Sequence, residues 1–164
     1  MLTFMPIAQH QAGIIVSLLL ESYAELLSTE RHYWKNEREN WLQFDLEVFH
    51  NPDTVGQCVF LTSLKDEMIG FGSFDPRQCP EFGIIGHNCI LPRFRGHGYG
   101  KLQILEILSR FRLAGIKRAI VSTSEHPFFL PAQRMYLSCG FLEKKRYAGG
   151  PDPRYGVIEY EMAL

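Results

Sequence analysis

Residues 90–101 read ILPRFRGHGYGK. An apolar run stops at Pro92, glycines stand at 96, 98 and 100, and an amphipathic stretch starts at Lys101. The residue before a proline favours extended backbone, so the segment reads as strand, bare main chain, then helix. At a helix N-terminus the first backbone N–H groups lack intrahelical partners, and the dipole favours negative charge. Glycines let an anion approach the main chain closely. Arg95 and Lys101 add positive charge. The physics is that of a phosphate cradle.

Three phosphate templates compete for it. A P-loop needs G-x-x-x-x-G-K-[ST], but Leu102 follows Gly100-Lys101, and Arg95 stands where the first glycine belongs. A dinucleotide loop needs G-x-G-x-x-G and an acid about 20 residues on. Here the glycine spacing differs, and the chain at that distance reads GIKRAIV. The third template, R/Q-x-x-G-x-G/A, is met by Arg95, Gly98 and Gly100.

The fuller string fits apolar-x-Pro-x-x-Arg-Gly-x-Gly-x-Gly. A second string, AQRMYLSCGF at 132–141, fits A-x-x-x-Y-x-x-x-G-F. With both in this order, the chain resembles the GNAT family, the Gcn5-related N-acetyltransferases. The resemblance is strong over residues 82–147. Before residue 55 it rests on element order alone.

That order comes from periodicity and turn residues. A strand is expected over 2–8, helices over 10–28 and 32–50, and a hairpin of 57–63 and 68–75 around a charged turn. A strand over 82–91 precedes the glycine segment. A helix over 101–115 carries Leu102, Leu105, Leu108 and Phe111 on one face, with Gly115 as its cap. Then come a strand at 118–124, a helix at 131–140, and two strands at 141–147 and 155–163 joined by the turn 148–153. The pattern gives a mixed sheet with helices packed on it, in the α/β or α+β range. The resemblance adds detail: a mostly antiparallel central sheet, helices on both faces, a splayed parallel strand pair, and one N-acetyltransferase domain over 1–164.

Composition narrows the partners. Hydrophobic residues make up 46% and charged residues 21% of 164, which excludes a disordered chain. The formal net charge of -1 gives no basic field for nucleic acid. The run AGIIVSLLL at 12–20 follows no lysine or arginine, meets Glu21 at once, and is too short to span a bilayer, so it reads as a buried helix face. Neither a membrane nor nucleic acid is expected as a partner. Cys58, Cys79, Cys89 and Cys139 form no CxxC pair and fit no zinc template. They read as reduced thiols of a cytoplasmic protein, with no metal.

The resemblance implies roles for particular residues. Acetyl-CoA is the co-substrate. The backbone of Arg95, Gly96, His97, Gly98, Tyr99, Gly100 and Lys101 holds its pyrophosphate, and main-chain groups of Cys89, Ile90 and Leu91 hold the pantetheine arm. Tyr136 aligns with the family's general acid; a phenol with a pKa of about 10 is protonated at neutral pH and can donate. The sequence departs from the family at the base, because 82–91 carries no glutamate within the strand. His87, Glu81, Glu125 and a water chain remain as candidates. Phe129 stands where the family often has an asparagine. For the acceptor, a small amine or a peptide, the resemblance points to Tyr23, Trp34, Trp41 and the turn 147–155, although both tryptophans read equally as core. A homodimer is compatible with the family. The competing function is a non-catalytic sensor of acyl-CoA.

Overall fold

The computed structural model describes residues 1–164. In chain order its elements are β1 (Leu2–Pro6), α1 (Ile14–Ser22), α2 (Ala24–Thr29), α3 (Arg31–Trp34), α4 (Glu37–His50), β2 (Val59–Leu64) and β3 (Glu67–Asp75). There follow β4 (Gly83–Ile85), β5 (Cys89–Ile90), α5 (Tyr99–Leu113), β6 (Arg118–Ser124), α6 (Leu130–Ser138), β7 (Leu142–Tyr147) and β8 (Val157–Ala163). Strand pairing runs β1-β2-β3-β4-β6-β8-β7, with β5 also on β3. All pairs are antiparallel except β4 with β6. This is the mixed sheet expected from the residue pattern, mostly antiparallel as the resemblance implies. Two compact units make up the chain, residues 1–73 with 87–99 and residues 74–86 with 100–164.

In the first unit, β2 is the inner strand. Val59, Leu61 and Phe71 meet Ile15, Leu18 and Leu19 of α1 and Trp41 and Val48 of α4 in one buried cluster. Phe60 points to the other face and packs edge-on against Phe4, 5.3 Å between centroids. The β2–β3 turn is made by Lys65 and Asp66, both at positive φ (49° and 69°). A two-residue turn with both central residues left-handed matches the twist of a hairpin.

The two long helices expected over 10–28 and 32–50 are each broken. Tyr23 leaves helical geometry between α1 and α2, and Lys35 and Asn36 separate α3 from α4. With these breaks the Tyr23 ring lies 6.5 Å from Trp34 and 5.0 Å from Trp41. Both tryptophans are buried. Of the two readings left open for them, the structure selects core.

The start of α1 is set from a distance. The buried Asp45 carboxylate accepts from the N–H groups of Gly13 (2.7 Å), Ile15 (2.9 Å) and Val16 (3.1 Å). Those N–H groups lack partners inside the helix. A residue some 30 positions away therefore does the work of a cap.

In the second unit, β6 lies between β4 and β8. The parallel pairing is short, Gly83 with Ala119 and Ile84 with Ile120. The buried face of α5 is Ile104, Ile107, Leu108 and Phe111, and not the expected Leu102, Leu105, Leu108 and Phe111. Leu102 and Leu105 are 46% and 38% exposed. The physical reason is drift: each step of three residues lags a full turn by about 60°, so a strict three-residue series walks around the helix. Only i, i+3, i+4, i+7 stays on one side. Gly115 does close the helix, at φ 76°, with the Ile116 N–H on the Phe111 carbonyl at 3.0 Å. All four cysteines are free. No helix is long and apolar enough to cross a membrane.

The Asp45 cap gives a prediction. Asp45→Ala strands three N–H groups and should lower the unfolding free energy by about 3 kcal/mol, with Asp45→Asn in between. Urea midpoints of the three proteins measure this; an unchanged midpoint for Asp45→Ala would show that the cap stabilises nothing.

Candidate active site

The strand expected over 82–91 is interrupted. β4 pairs with β3 at Phe74–Ile85, whereas β5 pairs at Phe71–Cys89. Residues 86–88 therefore stand opposite only 72 and 73, a one-residue bulge. Ser73 Oγ donates to the His87 carbonyl at 2.6 Å and holds the surplus residue. Gly70 lets β5 come close, since a Cβ there would lie 2.0 Å from the Cys89 carbonyl oxygen.

Register then decides which main-chain groups face which way. The Leu91 N–H is bonded to the Ile69 carbonyl at 2.8 Å. Antiparallel pairs alternate between bonded and non-bonded. Ile90, opposite Gly70, is the non-bonded residue, so its N–H and carbonyl turn away from β3. Its carbonyl accepts from Arg95 Nε at 2.9 Å. Of the three residues given a main-chain role, only Ile90 turns its groups outward. The Cys89 thiol is buried, and burial pushes it up to about 11, so it is a protonated core side chain.

After Leu91 comes a short 3-10 turn at Pro92–Phe94, then extended Arg95, and then two left-handed glycines, Gly96 and Gly98, both at φ 81°. A Cβ at either would meet no atom within 4 Å. Glycine is needed here for conformation, and the main chain stays uncovered on that side. α5 starts at Tyr99, so the N–H groups of its first turn lie in the segment expected to bind phosphate. Three cations flank or lie within it in sequence, with different duties. Arg93 pairs with Glu21 and Glu67 and lies over the Phe94 ring. Arg95 Nη2 donates to the Ser22 carbonyl at 2.7 Å. Lys101 is exposed in the first turn of α5, and its charge reaches the Cys139 thiol at the end of α6.

The titratable candidates have distinct settings. His87 sits in the bulge with its ring 5.0 Å from Phe44. Although the residue keeps an exposed edge, protein atoms around the ring desolvate it and hold its pKa below the usual histidine value. It is thus neutral near pH 7. Glu81 lies outside any strand, in an exposed turn. Both oxygens of Glu125 are engaged, one by Arg146 (2.7 Å) and one by the Gly156 N–H (2.9 Å). Tyr136 is 4% exposed on α6, its ring 6.0 Å from those of Phe141 and Tyr160. Phe129 ends a 3-10 turn that enters α6 and packs edge-on against Phe128 at 5.1 Å. The His126 side chain shapes that turn by accepting the Phe128 N–H at 3.0 Å.

The family profile described as "Acetyltransferase (GNAT) family" matches residues 20–141. The chain belongs to the GNAT acetyltransferase family. No curated protein matches the sequence. Among solved structures, a Desulfovibrio desulfuricans protein assigned to the GNAT family as an acetyltransferase superimposes with TM-score 0.76 at 17% identity, covering 99% of each chain. A Bacillus anthracis protein assigned as a streptothricin acetyltransferase, solved with acetyl coenzyme A, gives 0.57 at 16% identity, covering 65% of this chain and 61% of that one. The ribosomal-protein-S18-alanine N-acetyltransferase of Escherichia coli gives 0.55 at 16% identity, covering 64% and 67%. At these identities the likeness is one of fold.

Sequence reasoning missed Ser73, Gly70 and the partners of the Arg95 side chain. One signal was available: GFGS at 70–73 places two glycines inside a strand, which marks close backbone approach. The two kinds of glycine should respond differently to a methyl group. Gly98→Ala meets open space and should lower the unfolding free energy by about 1 kcal/mol through its left-handed backbone alone. Gly70→Ala must displace a carbonyl and should cost about 3 kcal/mol or more. Equal costs in urea titrations would refute the close approach of β5 to β3.

Proposed function

We propose that this protein, with residues 1–164 as one domain, transfers an acetyl group from acetyl-CoA to a primary amine. The observation that carries the reading is the main chain left bare at the left-handed Gly96 and Gly98 just before the first turn of α5, with the Ile90 peptide groups turned away from β3 upstream of it. It offers donors at two places, the Ile90 N–H and the N–H groups after Arg95, because those of Leu91, Phe94 and Arg95 are bonded within the chain and Pro92 has none. The pair fits a ligand that carries a carbonyl at one end and an anion at the other. Within residues 95–101 the N–H groups after Arg95, whose own N–H is bonded to the Pro92 carbonyl, would hold the pyrophosphate together with the helix end. The Ile90 N–H would take the thioester carbonyl.

The chemistry is direct attack. The amine nitrogen bonds to the thioester carbon while its oxygen gains negative charge, which the Ile90 N–H stabilises. The C–S bond then breaks with its electron pair on sulfur, and Tyr136 gives the thiolate a proton. The nitrogen loses a proton to His87 or to water. Glu125 is a poor acceptor for it, because both its oxygens are already engaged. An amine or peptide acceptor agrees with what the family does.

The test is thiol release from acetyl-CoA across amines and peptides, against a control without acceptor. Release above hydrolysis supports the transferase. CoA binding without release from any acceptor would favour the sensor instead. Tyr136→Phe should lower kcat by about a hundredfold, with CoA affinity unchanged within about twofold; unaltered kcat would remove Tyr136 from the role of acid.

His87 gives a pH prediction with a definite sign. Its pKa lies below the ordinary histidine value because of desolvation. Above that pKa the ring is neutral and can accept a proton. As pH falls through it the base is lost, so kcat/KM should drop on the acid side, below about pH 6.5. His87→Ala should abolish that limb. If the limb persists at the same pH in the variant, the proton goes elsewhere.

A further inference from the structure

We propose that Arg95 is a positioning residue: its guanidinium locks the Ile90 peptide to the end of α1 and leaves the pyrophosphate to backbone N–H groups. This deepens the transferase reading and rests on it. A loop arginine next to an anion site is ordinarily taken as a charge that meets the phosphate. Here the side chain turns the other way.

Arg95 Nε donates to the Ile90 carbonyl at 2.9 Å, and Nη2 donates to the Ser22 carbonyl at 2.7 Å. Ser22 is the last residue of α1, where carbonyls lack helical partners and the dipole favours a cation. The guanidinium is planar and its donors are rigidly arranged, so two bonds to two elements fix its plane as well as its position. The next residue, Leu91, is held from the other side by the Ile69 carbonyl at 2.8 Å. The Ile90–Leu91 peptide is therefore pinned between β3 and the Arg95 fork.

This has a chemical consequence. A strand residue facing away from its neighbour presents one donor and one acceptor on the same edge. Arg95 occupies the acceptor at Ile90, so that edge presents an N–H with a guanidinium cation close by. Such an edge favours an oxygen that gains negative charge as a reaction proceeds. It disfavours a ligand donor. The side chain acts on the reacting carbonyl through Ile90.

The experiment compares wild type, Arg95→Ala and Arg95→Lys in three readouts: ADP affinity by calorimetry, kcat at saturating acetyl-CoA, and the Ile90 amide resonance in a 1H–15N spectrum. ADP carries the pyrophosphate without the pantetheine arm. For Arg95→Ala the expected result is ADP affinity within about twofold of wild type, kcat lower by about tenfold or more, and a moved Ile90 resonance. Arg95→Lys, whose ammonium can reach one of the two carbonyls, should recover part of kcat. Loss of ADP affinity by about tenfold or more in Arg95→Ala would overturn the proposal, making Arg95 a phosphate contact. So would an unmoved Ile90 resonance with unchanged kcat. If Arg95→Ala does not fold, Arg95→Lys keeps the charge and gives the same readouts with the same signs. If wild type turns over no acceptor, the transferase reading falls, while ADP affinity and the Ile90 resonance still decide the role of Arg95.

Discussion

One hydrogen bond, from Ser73 Oγ to the His87 carbonyl at 2.6 Å, holds a surplus residue where β4 gives way to β5. The bulge changes the register on β3 by one residue between Ile85 and Cys89. A shift of one residue exchanges which peptide groups face the neighbouring strand and which face away. Without it, Ile90 would point its N–H and carbonyl at β3, and Leu91 would turn outward. The direction of the Ile90 groups, the bond from Arg95 and the position of His87 all follow from that shift. The close approach that accompanies it requires the missing side chain at Gly70.

Much of the fold was legible because it is written locally. The glycine segment, the cap at Gly115, the hairpin turn and the two strands that close the chain each depend on residues within a few positions of one another. What was not legible is set by distant partners. Asp45 starts α1 from about 30 residues away, and Arg95 reaches Ser22 across 73 positions. The helix breaks at Tyr23 and at Lys35 carry no proline or glycine. They accompany the packing of one tyrosine against two tryptophans, which no local pattern states. The α5 face was misread for a different reason: a series of leucines at intervals of three looks periodic, yet it leaves the face it started on.

For the candidate site the division is similar. Its residue types were visible in two short motifs, and what each side chain does was not. Arg95 read as a charge for phosphate, and its guanidinium is bonded to two carbonyls. Glu125 read as one candidate for the base, and it ties Arg146 to the Gly156 backbone. His87 read as a strand residue, and it sits in the bulge against Phe44.

These assignments bear on how a chain of net charge -1 could hold a multiply charged ligand. Arg93 is neutralised by two glutamates, and Arg95 is committed to the main chain. On the proposed reading, Lys101 is the side-chain charge left for the anion, and neutral donors supply the rest: loop N–H groups and the first turn of α5. Such donors are fixed by backbone conformation, so their direction costs no side-chain ordering when the ligand arrives. Their field also falls off faster than that of a full charge, which confines attraction to ligands that fit the loop. Arg93 and Arg95 then serve geometry, and Arg95 bears on the chemistry through a peptide group.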